Sequence, residues 1–162
     1  MNSALEIGAT LPPFTLELAD GGTIEAADLR GRPAVLFFYP KDDTPGCTSE
    51  ARDFSALRAE FDALGVRVIG ISKDRPEQHR RFIAKHDLHV TLASDLPEAG
   101  LSDALGIWTQ KAMYGRTYTG MVRTTCLVDG AGRIVRVWPK VKVSGHAAEV
   151  LEAARRDAAA RA

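Results

Sequence analysis

One cysteine lies in a polar loop between an apolar segment and an amphipathic one. The loop reads Tyr-Pro-Lys-Asp-Asp-Thr-Pro-Gly-Cys-Thr-Ser-Glu over residues 39–50. Ligands commonly bind where a strand passes into a helix. Cys47 falls in the first turn of the predicted helix, where unpaired N–H groups and the helix dipole favour an anion. A cysteine in such a position reacts as a thiolate, so we expect Cys47 to be nucleophilic at neutral pH.

Two neighbours of Cys47 add to this predicted site. Gly46 leaves room for a small substrate to approach the backbone, and the hydroxyl of Thr44 can donate to or accept from the reacting atoms. Thr44 can also cap the helix, a role that is compatible with catalysis. The alternative, an unreactive loop thiol at Cys47, is less favoured, because few structural pressures place cysteine in a loop of proline, glycine and threonine. The pattern predicts a compact pocket that binds oxygen atoms.

Apolar segments on either side predict the elements that position this loop. Short runs rich in β-branched or aromatic residues, at 33–39 and 66–72, are typical of strands covered on both faces. Between them, apolar residues recur at steps of three and four and predict one face of a helix that ends at Gly65. These residues are Phe54, Leu57, Phe61 and Leu64. The loop therefore lies within a strand, helix, strand unit.

The rest of the chain continues to alternate between strand and helix signals. The segment at 74–77 combines a carboxylate with an early proline and predicts a helix from Pro76 to about Lys85. The segment at 95–98 repeats this signal before a short helix that ends near Gly106. The other predicted elements are an edge hairpin around the turn at 20–22, a strand at 90–93, a hairpin of 124–129 with 133–138, and a closing helix over 146–160.

This order of elements predicts an α/β fold. Crossover units need parallel strands, whereas the late hairpin must be antiparallel, so the sheet is expected to be mixed. A thioredoxin-like three-layer domain with a mixed central sheet and an N-terminal β-hairpin extension fits this order. The sequence has no internal repeat and no long linker, so we expect residues 1–162 to form a single domain. We expect Trp108, Met113 and Tyr114 to pack a loop over the core.

Composition excludes several classes of partner. Lys plus Arg equals Asp plus Glu at 21 each, so no overall charge attracts nucleic acid or an anionic membrane. No apolar run approaches the roughly 20 residues that cross a bilayer, and the N-terminus lacks the features of a signal peptide. We therefore expect a cytoplasmic protein.

Neither the cysteines nor the histidines show the spacing of a metal site, so no metal is expected. The histidines, which we expect to be ordinary surface residues, are His79, His86, His89 and His146. Lys41, Asp42 and Asp43 are interpreted as a solvated part of the loop with no assigned role.

The motif Pro40-Lys-Asp-Asp-Thr44-Pro-Gly-Cys47 matches the Pro-x-x-x-Thr-x-x-Cys pattern of peroxiredoxins. The similarity extends to the bacterioferritin comigratory protein or peroxiredoxin Q subgroup through YPKDDTPGCT, KAMYGRTYTGMVRTTCLVDGAGRI and VWPKVKVSGHAAEVL. The resemblance implies that Arg123 lies beside a peroxidatic Cys47 and that Pro40 shields the thiolate from water. It implies a thiol peroxidase without a cofactor, in which Cys47 attacks H2O2 or a small organic hydroperoxide and becomes a sulfenic acid.

The sequence departs from this subgroup at the resolving cysteine. Relatives carry it five residues after the peroxidatic cysteine or in the following helix, where this chain has Arg52 and, in the helix, Ile83 and Ala84. The other cysteine, Cys126, is expected to be buried in the sheet, although a resolving role stays open. We therefore predict a one-cysteine cycle in which thioredoxin, glutaredoxin or a small thiol reduces the sulfenic acid. The resemblance favours a monomer or a weak homodimer.

Three other classes of protein also use a reactive cysteine. A thiol-disulfide oxidoreductase usually needs Cys-x-x-Cys, and Cys47 is followed by Thr48, Ser49 and Glu50. A cysteine hydrolase needs a paired histidine and a third orienting group, neither of which is evident. A redox-sensing or holdase protein that is switched by oxidation of Cys47 remains the alternative from a different class.

Overall fold

The computed structural model describes residues 5–161, apart from the side chain of Met113. The strands are β1 (Thr15–Leu18), β2 (Thr23–Glu25), β3 (Ala34–Phe38), β4 (Arg67–Ser72), β5 (Thr91–Ser94), β6 (Trp108–Met113), β7 (Arg116–Met121), β8 (Thr124–Val128) and β9 (Ile134–Trp138). The helices are α1 (Pro45–Ala56), α2 (Arg58–Ala63), α3 (Pro76–His86), α4 (Leu101–Ala104) and α5 (His146–Arg161), and a 3₁₀ turn covers Ala26–Leu29. No helix in this part of the chain is long and apolar enough to span a membrane.

The central sheet is mixed, as the sequence predicts, with the strand order β2-β1-β5-β4-β3-β8-β9. β3, β4 and β5 are parallel, whereas β8 runs antiparallel to β3 and β9 runs antiparallel to β8. The predicted hairpin of β1 and β2 forms one edge, where β1 pairs with β5. β3 lies between two neighbours and every one of its residues is buried. The loop that carries Cys47 therefore leaves the centre of the sheet at the carboxyl end of β3.

Side chains alternate between the two faces of this sheet because successive residues of a strand point in opposite directions. Val35, Phe37 and Tyr39 pack in one core cluster with residues of α1, α2, α3 and α5. Leu36 and Phe38 pack in a second cluster with the 3₁₀ turn, α4 and the N-terminal segment. We call these the helical face and the opposite face. The predicted three-layer thioredoxin-like arrangement is confirmed.

Two helix predictions need correction near the functional loop. The helix expected to run without a break to Gly65 is divided at Leu57 into α1 and α2. The N-cap of α3 is Arg75 rather than the predicted carboxylate of Asp74. Asp74 is instead buried and accepts bonds from the hydroxyl of Ser72 at 2.6 Å and from the N–H of Asp42 at 2.8 Å. The carboxylate thus organises the functional loop and not the helix.

The short helix α4 begins later than its sequence signal indicates. It starts at Leu101, and its N-cap is Gly100 in the left-handed conformation. The carboxylate of Asp95 still satisfies this helix end, because it accepts the N–H groups of Leu101 at 2.9 Å and Ser102 at 2.7 Å. The acidic residue therefore caps the helix across a longer loop than a capping box spans.

The segment expected to be a loop over the core is a hairpin. β6 and β7 form a separate antiparallel pair. Tyr114, in the turn, is 97% exposed and has a left-handed φ of 52°, so its predicted place in the core is wrong. Trp108 does pack against the opposite-face cluster, whereas the side chain of Met113 lies outside the described part of the structure.

Candidate active site

Cys47 is the third residue of α1 and its side chain is almost fully buried, with 1% of the residue exposed. The first hydrogen bond of the helix runs from the N–H of Thr48 to the carbonyl of Thr44 at 2.8 Å. N–H groups before this point have no acceptor within the helix, and they favour an anion at the position of the sulfur. The predicted placement of Cys47 in the first turn is confirmed.

A guanidinium group contacts the sulfur of Cys47. Nη2 of Arg123 donates to Sγ at 3.3 Å, although the two residues are 76 positions apart in the chain. The register of the sheet produces this contact, because Phe38 at the end of β3 faces Thr124 at the start of β8. The N–H of Val141 donates to the carbonyl of Arg123 at 2.8 Å and fixes its backbone. The structure therefore brings together two of the predicted site residues.

A buried carboxylate holds the other side of the guanidinium. Nη1 of Arg123 donates to Oε1 of Glu50 at 2.7 Å, and Glu50 is 1% exposed. Glu50 is not among the residues that the sequence predicted for the site. Its position three residues after Cys47 places it on the same side of α1, which is the signal that could have identified it. Arg123 thus bridges the thiol and an acid from one helix.

Burial and charge compete at this cluster. Burial raises the pKa of Glu50 to about 7, although the adjacent Arg123 cation lowers it in part. Burial lowers the pKa of Arg123, but the charges of Cys47 and Glu50 outweigh this effect and raise it overall, so the guanidinium stays charged. Lys111 on β6 lies close enough to feel the charge of Arg123. Burial and this cation both lower the pKa of Lys111. Two basic side chains, Arg123 and Lys111, therefore lie near Cys47, and the acid of Glu50 lies beside Arg123.

Gly46 is required by the position of Arg123. A Cβ atom at this residue would lie 3.2 Å from Nη2 of Arg123, closer than side chains ordinarily pack. The sequence-based reason for glycine was access for a substrate to the backbone, and the structure adds a second reason, since the guanidinium occupies the space beside it. A larger residue at position 46 would require the guanidinium to shift by a few tenths of an ångström.

Thr44 is the N-cap residue of α1, but its side chain does not cap the helix. The hydroxyl instead donates to the carbonyl of Lys41 at 2.9 Å. With its hydrogen used in this way, the oxygen keeps lone pairs that can accept a hydrogen bond. Pro40 is half-buried just after β3, in the same loop.

The expectation that the acidic part of this loop is solvated is wrong for Asp42. Asp42 is 8% exposed and lies under the loop, whereas Lys41 and Asp43 are exposed as expected. His79, expected on the surface, is fully buried, and its Nδ1 lies 2.6 Å from Oδ2 of Asp42. His146 is also buried, with Nε2 at 2.8 Å from the hydroxyl of Thr125. Their polar partners inside the protein explain why these residues tolerate burial.

Cys126 lies in the sheet core, as predicted. It is fully buried in β8, and burial raises its pKa to about 12. Cys126 packs in the cluster of the opposite face, whereas Cys47 packs in the cluster of the helical face. Both thiols are free. The sheet itself therefore lies between the two sulfur atoms.

The chain is similar to known proteins over most of its length. The model of the AhpC/TSA family matches residues 7–137. A putative peroxiredoxin bcp of Coxiella burnetii is 44% identical and covers 91% of this chain and 97% of its own length. Peroxiredoxin Bcp of Bacillus subtilis is 42% identical and covers 91% of this chain and 94% of its own length. The chain belongs to the AhpC/TSA family and is a peroxiredoxin.

Solved structures agree with this assignment. The bacterioferritin comigratory protein of Xanthomonas campestris superposes with a TM-score of 0.85 at 39% identity, covering 97% of this chain and 99% of its own. A cysteine-to-serine mutant of PrxQ from Xylella fastidiosa superposes with a TM-score of 0.90 at 35% identity, covering 97% and 99%. The peroxiredoxin is thus a thiol-dependent peroxidase with the fold of these proteins.

Replacing Gly46 tests the space that Arg123 needs. We expect Gly46→Ala to slow the reaction of the reduced peroxiredoxin with H2O2 by about tenfold or more, because small displacements of positioned groups can cost up to about 10²-fold in rate. The free energy of unfolding should change by less than about 1 kcal/mol, the range of helix propensity. Stopped-flow oxidation and urea denaturation measure the two quantities. Ser49→Ala, an exposed change in the same turn, is the control, and a Gly46→Ala rate equal to wild type would contradict the prediction.

Replacing Glu50 tests the cost of its burial. Because the pKa of Glu50 is raised to about 7 in the fold, the folded protein binds more protons than the unfolded chain between pH 4.5 and 7. As the pH rises from 4.5 to 7, the free energy of unfolding of the wild type should therefore fall relative to that of Glu50→Gln, by roughly 3 kcal/mol at most. Urea denaturation of both proteins across this range gives the difference.

Glu98→Gln, an exposed change, serves as the control and should follow wild type at every pH. A difference in unfolding free energy between wild type and Glu50→Gln that does not vary with pH would show that the burial of Glu50 is not costly.

Proposed function

We propose that Cys47 is the peroxidatic residue and that Arg123 activates it. The thiolate attacks the terminal oxygen of H2O2 or of a small organic hydroperoxide, a sulfur–oxygen bond forms, and the oxygen–oxygen bond breaks. Water or an alcohol leaves after it takes up a proton, and Cys47 becomes a sulfenic acid. The observation that carries this proposal is the 3.3 Å contact from Nη2 of Arg123 to Sγ of Cys47.

Donors around the sulfur favour the transition state over the ground state. Negative charge spreads in the transition state over the sulfur and both oxygens, and groups fixed in advance stabilise it without reorganising. Arg123 and the N–H groups of Gly46 and Cys47 supply the donors. Glu50 holds Arg123 in place from its far side at 2.7 Å. Pro40, half-buried in the same loop, shields the thiolate from water.

Thr44 supplies the acceptor that a hydroperoxide needs. Its hydroxyl hydrogen is used by the carbonyl of Lys41, so its oxygen is oriented to accept the O–H of the substrate. A group that accepts this bond discriminates between a hydroperoxide and a dialkyl peroxide, which has no O–H to donate. The bacterioferritin comigratory protein of Xanthomonas campestris has alkyl peroxide reduction activity. This similarity supports organic hydroperoxides as substrates here.

The catalytic cycle uses one cysteine. Cys126 lies in the core cluster on the opposite face from Cys47 and is fully buried, so a bridge between them would require the sheet to open. An outside thiol therefore attacks the sulfenic acid and releases water, which gives a mixed disulfide on Cys47. A second thiol then releases Cys47 and leaves as a disulfide. Thioredoxin, glutaredoxin or a small thiol fits this role.

We also infer that residues 1–162 act as one domain in the cytoplasm, as a monomer or a weak homodimer. Seven of the nine strands described in residues 5–161 share one central sheet, which supports a single unit. Two free thiols fit a reducing compartment.

Single-cysteine variants test this cycle. We expect Cys47→Ser to abolish turnover of H2O2 with a thiol donor, because serine is not ionised at neutral pH, and Cys126→Ser to retain activity within about twofold. Peroxide consumption with thioredoxin, glutaredoxin and a small thiol in parallel identifies the reductant, and mass spectrometry detects disulfides.

Two outcomes would contradict the proposed cycle. A disulfide between Cys47 and Cys126 that forms at the rate of turnover would replace it with a two-cysteine cycle. Stoichiometric oxidation without turnover, under all three reductants, would favour a redox sensor over an enzyme.

A further inference from the structure

His79 and Asp42 form a buried pair beneath the loop that carries Cys47. Nδ1 of His79 lies 2.6 Å from Oδ2 of Asp42, and Nε2 lies 3.1 Å from the carbonyl oxygen of Ala93. A carbonyl only accepts, so Nε2 carries a proton. Asp42 also accepts the hydroxyl of Tyr39 at 2.5 Å. Both ring nitrogens of His79 are therefore engaged, and the ring is fixed between the loop and β5.

Two further groups contact Asp42. Tyr39, just after β3, faces it as a neutral donor, because burial, followed by the charge of Asp42, raises the pKa of the phenol well above its ordinary value. Asp74, from the segment before α3, adds a second negative charge and accepts the N–H of Asp42 at 2.8 Å. Among the described contacts of Asp42, His79 is therefore the one that ties it to α3.

This pair is the buried part of a connection between the loop and α3. The next residue, Asp43, lies 2.7 Å from Nζ of Lys85 and 2.8 Å from Nε2 of His86, but these contacts are exposed and hence weak. Asp43 has a φ of 64°, a left-handed conformation that an L residue adopts at a cost. The residue before it is held by contacts that are shielded from water, namely the contact between Asp42 and His79 and the bond from the N–H of Asp42 to Asp74.

We propose that His79 is a positioning residue for the loop of residues 40–46. Its hydrogen bond with Asp42 holds this loop on α3, and so it keeps Thr44 and Cys47 aligned with Arg123 while Cys47 stays covered. Loss of the pair lets the loop open, which separates Cys47 from its donors and exposes its sulfur. The inference rests on the proposed peroxidatic role of Cys47. His79 acts through Asp42 and touches no reacting atom.

Two rates with opposite expected changes test this proposal. In His79→Gln, oxidation of Cys47 by H2O2 should fall by about 10- to 100-fold, because catalytic groups lose their alignment. Alkylation of Cys47 by iodoacetamide should rise by tenfold or more, because the sulfur is 1% exposed in the closed loop. Stopped-flow kinetics gives the first rate, and mass spectrometry of both cysteines gives the second.

Three controls separate positioning from general loss of structure. Cys126 is fully buried, so it reports unfolding and should stay unlabelled in His79→Gln. His89→Gln, at an exposed histidine just after the same helix, should match wild type in both rates. Asp42→Asn should behave like His79→Gln, and the double variant should be no slower than either single one, because both remove the same contact.

The outcomes that overturn the proposal are distinct from those that overturn the peroxidase. If His79→Gln leaves both rates of Cys47 unchanged, or labels Cys126 together with Cys47, His79 has no positioning role. If wild type itself fails to react with H2O2, the proposed function is wrong, and the alkylation of Cys47 still decides whether His79 keeps the loop closed.

Discussion

A guanidinium in contact with a buried sulfur is the interaction on which the proposed chemistry of this peroxiredoxin depends. Two charges attract several times more strongly inside or near a protein than in water, but each must first be removed from its solvent. Arg123 meets this condition because it lies between two acceptors, the sulfur of Cys47 and the carboxylate of Glu50. The raised pKa of Glu50 shows that part of the cost of burial falls on this carboxylate. The stability of the fold is thus reduced where the reactive cation is held.

The sheet brings these groups together and keeps the second thiol away. β3 ends where the loop of Cys47 begins, and β8 starts beside that end with Arg123 just before it. Arg123 contacts Cys47, which packs in the helical-face cluster, whereas Cys126 packs in the opposite-face cluster. Residues only three positions apart thus reach different sides of the sheet, and this separation supports the proposed one-cysteine cycle.

Local sequence patterns predicted only those site residues that lie close together in the chain. Cys47, Thr44 and Gly46 lie together in one loop, and their types alone suggest a reactive thiolate. Arg123 is 76 residues from Cys47, so no spacing could connect them, and its assignment came from resemblance to peroxiredoxins. Glu50 could have been found from its helical spacing to Cys47.

Buried polar residues were the main errors, because a polar residue looks solvated until its partner is known. Asp42 and His79 are 37 positions apart, and each is buried because the other is present. The strands and the order of the sheet were predictable, since buried strands are uniformly apolar and alternate with helices. The starts of the helices were harder to predict. Asp95 caps α4 from six residues away, and Asp74 accepts a hydrogen bond from the loop instead of capping α3.

The rate at which H2O2 oxidises reduced Cys47 in an Arg123→Ala variant is the most direct test of this account. The rate of Arg123→Ala should fall by about 10²- to 10³-fold, the usual cost of losing one preorganised donor. Its thermal stability should equal that of the wild type, and the Arg116→Ala control should react at the wild-type rate. Arg116 is exposed on β7, so its removal changes charge without touching the sulfur. An Arg123→Ala rate within a few-fold of wild type would contradict the central role of the guanidinium.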